Sequence, residues 1–385
     1  MSNQTVLISG AGIAGSTLAY WLARHGFRPT VVERATGLRS SGNPVDVKGP
    51  ALQVAGRMGL LPRLRAADSG VTDLRFVNAS GRRVGRISLR AFQASAGERE
   101  PEVPRAELAS ILLDASRDAA EFLWDDTIVA LRQDAGGVDV TFDRAEPRRF
   151  DLVIGADGLH SAVRRLAFGP EADFVRHMGI YVATLPVDAP AGGDREVLLY
   201  NAPGRLVSVH PSRGRAVAAF MFRSPALPGF DYRDTGLHKR LVTATFAGDG
   251  WRVPDLLTQV QAAGDIYFDS VSQVRLPRWS RGRIVVLGDA ASCLSLFGDG
   301  CTLAIAGADT LAAELAASRA DPAAAFRRYE SQHRTLVEPR LRGFGQAAAL
   351  LIPVSRPGIT ARNLATRLFP VMTAVRSVAG RLQPA

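Results

Sequence analysis

The stretch Thr5–Gly15, TVLISGAGIAG, decides the fold class of this chain. Its first five residues form a short apolar run, which is typical of a buried parallel strand. The segment after the glycines has leucines at helical spacing and reaches Gly26, where glycine favours the end of a helix. Pro29–Glu33 is then predicted to be a second strand. The pattern predicts a βαβ unit with G-x-G-x-x-G at its first turn.

Each glycine of this turn can be explained by the backbone geometry that it permits. Gly10 allows the tight turn, Gly12 lets the backbone approach a pyrophosphate, and Gly15 lets the helix pack close to the strand. Ala14 lies among them at the start of the helix, whose free N–H groups favour phosphate. Glu33 ends the second strand, where its carboxylate can accept hydrogen bonds from an adenosine ribose. The motif predicts a dinucleotide site without distinguishing FAD from NAD, and a glycine-rich turn without a ligand is the alternative.

Composition excludes several other classes of protein. The chain has 385 residues, of which 46% are hydrophobic and 22% charged, which is ordinary globular composition and enough for two to three domains. Its two cysteines, Cys293 and Cys301, cannot support a disulfide-rich fold and weakly suggest a reducing compartment. We find no signal peptide and no apolar stretch of membrane-spanning length. We therefore expect a cytoplasmic protein without an integral membrane segment.

The net charge of +10 does not indicate nucleic-acid binding. Only Lys48 and Lys239 are lysines, and the arginines are scattered along the chain. A nucleic-acid protein would show a basic stripe with interleaved aromatic residues. We expect no nucleic-acid partner.

Two further strands run into small residues and an aspartate. Residues 151–158 are DLVIGADG, and residues 283–291 are RIVVLGDAA, followed by Gly298-Asp299-Gly300 and an apolar helix from about Cys301. Continuous apolar strands of this kind belong to a sheet that is covered on both faces. The small residues at their ends predict close approach of the backbone to a ligand.

Other catalytic signatures are missing from the sequence. The six histidines are isolated from one another, and no Cys/His cluster has the spacing of a metal site. There is no nucleophile elbow and no Walker A motif. The sequence therefore predicts neither a metal site nor a catalytic side-chain nucleophile.

With these three ordered motifs the chain resembles the class A flavoprotein monooxygenases, which have the para-hydroxybenzoate hydroxylase fold. The motifs are GAGIAG with Glu33-Arg34, GADGLHSAVR and LGDAA before a glycine loop. In length and detail it is most similar to the tetracycline-inactivating monooxygenases. The resemblance implies an α/β fold with a Rossmann-like FAD-binding domain (1–70, 100–170 and 275–340). The resemblance also implies an antiparallel β-sheet substrate domain (71–99 and 171–274) and a C-terminal helical segment (341–385).

The resemblance also implies roles for individual residues. Glu33 and Arg34 would lie at the adenosine end of FAD, Arg39 near the nicotinamide nucleotide, and Asp157 with Gly158 in a motif that serves both FAD and NAD(P)H. Flavin contacts are implied for Asp46, Arg105, Asp289, Gly298, Gly300 and Thr302. Surface ion pairs remain the alternative for Arg39 and Arg105, and a turn cap for Asp46.

The loop after LGDAA departs from the family pattern. Ser292 stands where the family has histidine, Thr302 stands where it has asparagine, and the loop has no proline. This loop lies beside the isoalloxazine in the family, so the departure bears on the oxygen chemistry. Cys293 and Cys301 admit a redox interpretation, but packing as small apolar residues is the favoured one.

The middle of the chain is predicted to form an antiparallel sheet whose inner face is a wall of the substrate site. Residues from His177 to Arg223 alternate as hairpin strands, with a turn at residues 212–215, and Asp73–Leu89 adds a hairpin. Arg195, Tyr200 and Met221 are candidates to face the substrate. Because the sequence does not fix the strand register, they can equally face outward or support the core.

By resemblance, the function would be hydroxylation of an aromatic or polyketide-like small molecule, as in natural-product metabolism. FAD, NADPH or NADH, and O2 would act through a flavin C4a-hydroperoxide, with the arginines slightly favouring NADPH. A flavin-dependent reductase or dehydrogenase of an apolar substrate is the alternative, and a non-enzymatic nucleotide-binding regulator is a third interpretation. We expect a monomer or weak dimer.

Overall fold

The fold is taken from a computed structural model that describes residues 4–38, 44–89, 100–188, 193, 195–211, 216–293, 299–342 and 344–366. The strands are β1 (Thr5–Ser9), β2 (Arg28–Glu33), β3 (Val45–Asp46), β4 (Asp73–Val77), β5 (Arg83–Ser88), β6 (Glu102–Val103), β7 (Glu121–Trp124), β8 (Ile128–Gln133), β9 (Val138–Phe142), β10 (Arg148–Phe150), β11 (Leu152–Gly155), β12 (Val175–Val187), β13 (Glu196–Ala202), β14 (Arg205–His210), β15 (Ala216–Arg223), β16 (Tyr267–Val274), β17 (Ser280–Arg281) and β18 (Ile284–Val286).

The α-helices follow the same chain order. They are α1 (Ile13–Arg24), α2 (Pro50–Arg57), α3 (Leu61–Ala66), α4 (Arg105–Ser116), α5 (Ala162–Ala167), α6 (Thr235–Phe246), α7 (Val253–Ala262), α8 (Asp289–Ser292), α9 (Asp299–Ala317), α10 (Pro322–Arg342) and α11 (Phe344–Leu351). Residues 356–366 are also helical.

The first sheet has six strands in the order β17-β18-β11-β1-β2-β7. All neighbours in it are parallel except β17 and β18. Val6, Leu7 and Ile8 of its central strand β1 are completely buried, because other layers of the protein cover the sheet and leave no polar face. The predicted parallel sheet, with its three glycine junctions at the ends of β1, β11 and β18, is confirmed.

The second large sheet has seven strands in the order β16-β12-β15-β14-β13-β4-β5. The predicted hairpin Asp73–Leu89 forms β4 and β5 and extends this sheet, while the predicted turn 212–215 lies outside the described residues. The sheet is antiparallel except for β13 and β4, which pair in parallel. These two strands are far apart in sequence, so no local turn dictates their relative direction.

Helices α6 and α7 cover one face of the second sheet, where Phe220 packs on Phe246 with ring centroids 5.1 Å apart. The opposite face is shared between the central cavity and the C-terminal segment. Arg223 donates hydrogen bonds to the carbonyls of Ala348 (2.7 Å) and Ile352 (2.8 Å), and Arg362 donates to Asn201 (2.7 Å). The predicted C-terminal helical segment is thus present as far as residue 366, where it is bound to the second sheet, and residues 367–385 lie outside the described residues.

Among the described helices, α9 is long and apolar enough to cross a membrane by length and composition alone. Some 61% of its most apolar window is buried inside the protein, where it packs on α1 and α10. This burial is typical of a core helix.

Candidate functional site

A cavity of about 690 Å³ lies between the two large sheets. The glycine turn forms one wall through Gly10, Gly12 and Ala14, and the second sheet forms another through Val182 and Met221. A ligand held by the first sheet therefore shares one continuous space with side chains of the second.

The glycine turn leaves no room for other residues at two of its positions. Gly10 has φ of +104°, and a Cβ there would lie 2.6 Å from the carbonyl oxygen of Ala156. A Cβ on Gly15 would lie 1.8 Å from the carbonyl oxygen of Gly10. At Gly12 nothing lies within 4 Å. Gly12 is also the N-cap of α1 and has no side-chain cap, so this open space lies where backbone N–H groups can receive a phosphate.

Glu33 lies beside this turn at the end of β2. Its carboxylate accepts hydrogen bonds from the backbone N–H groups of Ala11 (2.9 Å) and Ala35 (3.0 Å). A carboxylate has about four acceptor positions, so it can also accept from a ribose. Arg34 lines the cavity next to it.

Three lining residues near Glu33 were not predicted from the sequence. Ile128 and Val129 of β8 and Leu166 of α5 form an apolar part of the cavity wall, and Val129 is 45% exposed. An exposed apolar side chain in a strand is a weak signal, because single ones are common on protein surfaces.

Asp157 organises the second glycine junction. Its carboxylate accepts hydrogen bonds from the Ser9 and Ser161 hydroxyls and, at 3.1 Å, from the N–H of Val163. The side chain thus joins the end of β1 to the start of α5, while Gly158 lines the cavity beside it. Asp157 itself also lines the cavity.

Arg164 joins the second and third junctions and was also not predicted. Its side chain is completely buried and donates to the carbonyl oxygen of Ala290 at 3.1 Å. Burial lowers the pKa of Arg164, against the opposing charge of Glu171. The last residue of the quoted GADGLHSAVR motif therefore positions LGDAA.

At the base of the cavity, Arg105 and Asp289 lie in one electrostatic cluster with Cys301. Burial would lower the pKa of Arg105, but the neighbouring Cys301 and Asp289 outweigh it and raise that pKa. Burial raises the pKa of Asp289, and Arg105 opposes this. Burial also raises the pKa of Cys301 to about 11, so its thiol is neutral at physiological pH. Cys293 and Cys301 form no disulfide, and both belong to the apolar core as well as the cavity lining.

The other residues that were predicted to contact the cofactors do not all line the cavity. Gly300 lines the cavity, whereas Thr302 and Asp46 lie behind its lining, with the Thr302 hydroxyl donating to the Asp46 carbonyl at 3.4 Å. Burial raises the pKa of Asp46, and the charge of Lys48 opposes this. Arg39 and Gly298 lie outside the described residues.

Of the three substrate candidates, only Met221 lines the cavity. Arg195 is exposed just before β13 and away from the lining. Tyr200 pairs with Val207, which pairs with Phe220, and this row faces the covering helices. The Tyr200 hydroxyl accepts a hydrogen bond from the Gly250 N–H at 3.3 Å. Tyr200 therefore takes one of the other orientations that the sequence left open, because neighbouring residues of a strand point to opposite faces. Arg195 lies before the strand, so strand register does not decide its position.

The rim of the cavity carries a positively charged aromatic cluster. Its cavity-lining members are Arg34, His160, Arg165, Tyr232 and Arg233. The rings of His160 and Tyr232 stack with centroids 3.8 Å apart and planes within 5°. In the sequence His160 appeared as an isolated histidine, so only the fold reveals this cluster.

The site suits a dinucleotide better than a metal. No group of three metal-ligating side chains occurs in the described part of the chain. By contrast, the open space at Gly12, the free helix N-terminus and the Glu33 carboxylate match a pyrophosphate and a ribose. Arg105 adds a cation deeper in the cavity. These residues fit FAD.

Comparisons with known proteins agree with this geometry. A family model described as an FAD binding domain matches residues 3–338. A flavin-dependent monooxygenase of Legionella longbeachae is 34% identical over 339 residues, covering 87% of this chain and 86% of the relative. An uncharacterized protein of Mycobacterium tuberculosis is 40% identical over 342 residues, covering 87% and 91%.

Solved structures give the same result. The tetracycline destructase Tet(51) superposes with a TM-score of 0.83 at 28% identity over 100% of both chains. Tet(55) gives 0.81 at 33% identity over 94% of this chain and 95% of its own. Klebsiella pneumoniae HpxO, solved with FAD and uric acid, gives 0.74 at 25% identity over 94% and 92%.

Proposed function

The chain belongs to the FAD-binding, flavin-dependent monooxygenase family, and we propose that it inserts one atom of O2 into an aromatic or polyketide-like small molecule at the expense of NAD(P)H. The observation that carries this proposal is the single cavity shared by the FAD-binding sheet and the second sheet. A flavin at the glycine junctions would face a substrate on the second sheet with no barrier between them.

The dinucleotide part of FAD would be held by the first sheet. We assign the pyrophosphate to Gly10, Gly12, Ala14 and the N-terminus of α1, with Gly15 allowing the helix to approach. Glu33 would hold the adenosine ribose, with Arg34 beside it. Asp157 and Gly158 would shape the junction, and we assign Asp46 and Thr302 to support of the flavin from behind the cavity lining.

The flavin part would lie deeper, near Arg105, Asp289 and Gly300. When bound, FAD supplies the redox chemistry: acceptance of a hydride from NAD(P)H and activation of O2. Arg105 is accessible from the cavity, and it would place a positive charge beside the negative charge that flavin reduction creates. The N-terminus of α9 at Gly300 adds a partial positive charge on the same side.

The second sheet would hold the substrate and exclude water from it. Val182 and Met221 give its cavity face an apolar part, and Thr184 and Ser270 give it polar groups. Exclusion of water by the apolar part would protect a reactive intermediate from side reactions. Two structural relatives are tetracycline destructases, and a third was solved with uric acid. We therefore propose a planar, multi-ring or conjugated substrate with polar substituents.

NAD(P)H would approach from the cavity rim. Arg34, Arg165 and Arg233 give the rim three exposed positive charges, which suit the phosphates of a nicotinamide nucleotide.

We propose the domain bounds given above from the sequence, and a cytoplasmic enzyme that is a monomer or weak dimer.

The test is turnover under ¹⁸O2 with NADPH or NADH and a panel that includes a tetracycline and uric acid. We expect one labelled oxygen atom in the product, with one NAD(P)H consumed for each coupled turnover. Unlabelled product, or turnover that continues without oxygen, would favour the alternative, a flavin-dependent reductase or dehydrogenase. Absence of flavin reduction by NAD(P)H would point instead to a nucleotide-binding regulator.

A further inference from the structure

The segment of residues 225–234, here called the strap, connects β15 to α6 across the cavity rim. Its base is fixed to the second sheet, because the Leu227 N–H donates to the Tyr181 hydroxyl at 3.0 Å and Phe230 packs on the Tyr181 ring. Its far end is fixed by Asp234, which caps α6 by accepting from the Leu237 N–H at 2.8 Å. Tyr232 lies between these anchors.

Tyr232 reaches from the strap to the FAD-binding side of the cavity. Its hydroxyl accepts a hydrogen bond from Arg34 at 3.2 Å, and Arg34 directly follows Glu33. Its ring stacks on His160 of the second glycine junction, and Arg233 lies over the same ring at 5.1 Å. One side chain of the strap thus touches two motifs of the opposite wall.

His160 makes a second connection across the same gap. Its Nδ1 lies 3.0 Å from Glu171, and its Nε2 lies 3.2 Å from Asp269 on β16 of the second sheet. Burial would lower the pKa of His160, but these two carboxylates outweigh it and raise the pKa to about 9. A histidine held as a cation between two carboxylates is a poor general base at neutral pH. It is suited to joining the walls.

We propose that Tyr232 and His160 form a latch across the cavity rim, which slows the exchange of FAD between the protein and solution. The latch is closed when His160 is charged and Tyr232 lies on it, with Arg34 as the third contact. It opens when the strap swings away from the first sheet. The proposal depends on FAD binding and not on the substrate or the oxygen chemistry.

The charges around the latch set the direction of its pH dependence. Glu171 and Asp269 face the imidazole, Arg164 contacts Glu171 at 3.4 Å, and Arg34 and Arg233 surround Tyr232. Deprotonation of His160 removes its positive charge and one of its two hydrogen bonds to carboxylates, because a neutral imidazole keeps a single N–H. It leaves Arg34 and Arg233 unchanged. FAD release is therefore expected to accelerate as the pH rises through about 9.

The experiment measures the rate of FAD release from the full-length holoprotein by flavin fluorescence after dilution, between pH 7 and pH 10. Tyr232→Ala is expected to release FAD at least about tenfold faster than wild type at pH 7. Tyr232→Phe keeps the stack but loses the hydrogen bonds that the hydroxyl accepts from Arg34 and, at 3.1 Å, from Arg233. It is expected to release FAD about threefold faster. His160→Gln is expected to be fast at pH 7 and insensitive to pH.

His25→Gln is the matched control, since His25 lies at the end of α1 outside the cavity lining. It should retain the wild-type rate and the wild-type acceleration at high pH. The latch is refuted if Tyr232→Phe and His160→Gln both release FAD at the wild-type rate. It is equally refuted if His160→Gln keeps the full wild-type pH dependence, because another group would then be responsible.

Discussion

Two alanine substitutions three residues apart are predicted to affect different properties: Gly15→Ala lowers the stability of the apoprotein, and Gly12→Ala lowers its affinity for FAD. A Cβ on Gly15 would lie 1.8 Å from the Gly10 carbonyl oxygen, and backbone at that distance cannot move aside as a side chain can. Contacts of a Cβ below 3.0 Å are essentially never seen, so the first turn of α1 and the Gly10 carbonyl must separate by at least the missing 1.2 Å. This shift disturbs the packing of Leu18 and Leu22, which are completely buried.

The size of the Gly15→Ala effect follows from two opposing contributions. Alanine is favoured over glycine inside a helix by about 1 kcal/mol. Forcing apart a packed helix and strand costs about 3–5 kcal/mol. We therefore expect the apoprotein to lose about 2–4 kcal/mol of its free energy of unfolding, and its thermal midpoint to fall by roughly 5–15 °C.

Gly12→Ala is the matched control, because nothing lies within 4 Å of a Cβ there and its φ of −72° is accessible to alanine. Loss of a glycine N-cap costs at most about 1 kcal/mol, so the apoprotein should unfold nearly as wild type does. The new methyl occupies the space assigned to the pyrophosphate, and FAD affinity should fall by about 10- to 100-fold.

The assays are thermal unfolding of both apoproteins and titration with FAD followed by flavin fluorescence. Wild-type stability in Gly15→Ala would refute the steric argument for this turn. Wild-type FAD affinity in Gly12→Ala would refute the assignment of the pyrophosphate to the open space.

Three further predictions concern residues away from the glycine turn. Arg164→Met removes a completely buried guanidinium that joins two motifs, and urea unfolding should show a loss of about 3–5 kcal/mol. His333 is buried with both ring nitrogens unpartnered among the described residues, and burial lowers its pKa to about 4. Its unfolded pKa is higher, so stability falls as the pH drops from about 6.5 towards 4, and His333→Leu should flatten this acid-side loss in thermal melts. For substrate binding, Met221→Ala should change KM for any substrate found, whereas Tyr200→Phe should leave kcat and KM unchanged and cost about 1 kcal/mol of stability. Equal kinetic effects of these last two substitutions would contradict the assignment of faces.

The residues that could be predicted from the sequence are those whose role depends on local backbone. Gly10, Gly12 and Gly15 lie within one turn, and Glu33 ends the next strand, so spacing alone brings them together. The parallel sheet could be predicted for the same reason, since three apolar strands each end in a glycine junction. No knowledge of distant contacts was required.

The features that could not be predicted depend on register or on long-range contacts. Tyr200 and Met221 face opposite sides of the second sheet, and only the pairing of β12 to β15 determines which side is the cavity. The role of His160 depends on its contacts with Asp269 of the second sheet and Tyr232 of the strap, which are distant in sequence. The parallel pairing of β13 with β4 likewise has no local signal.

The strand order of the first sheet has a consequence for synthesis of the chain. β1 lies between β2 and β11, and β18 pairs with β11 from residues 284–286. On the ribosome the N-terminal half would therefore emerge with the exposed β11 edge of a strongly apolar sheet unpaired for more than a hundred residues. Such edges promote aggregation. The FAD-binding part is thus expected to be insoluble as a separate N-terminal fragment, and chaperones should associate with nascent chains until β18 has emerged.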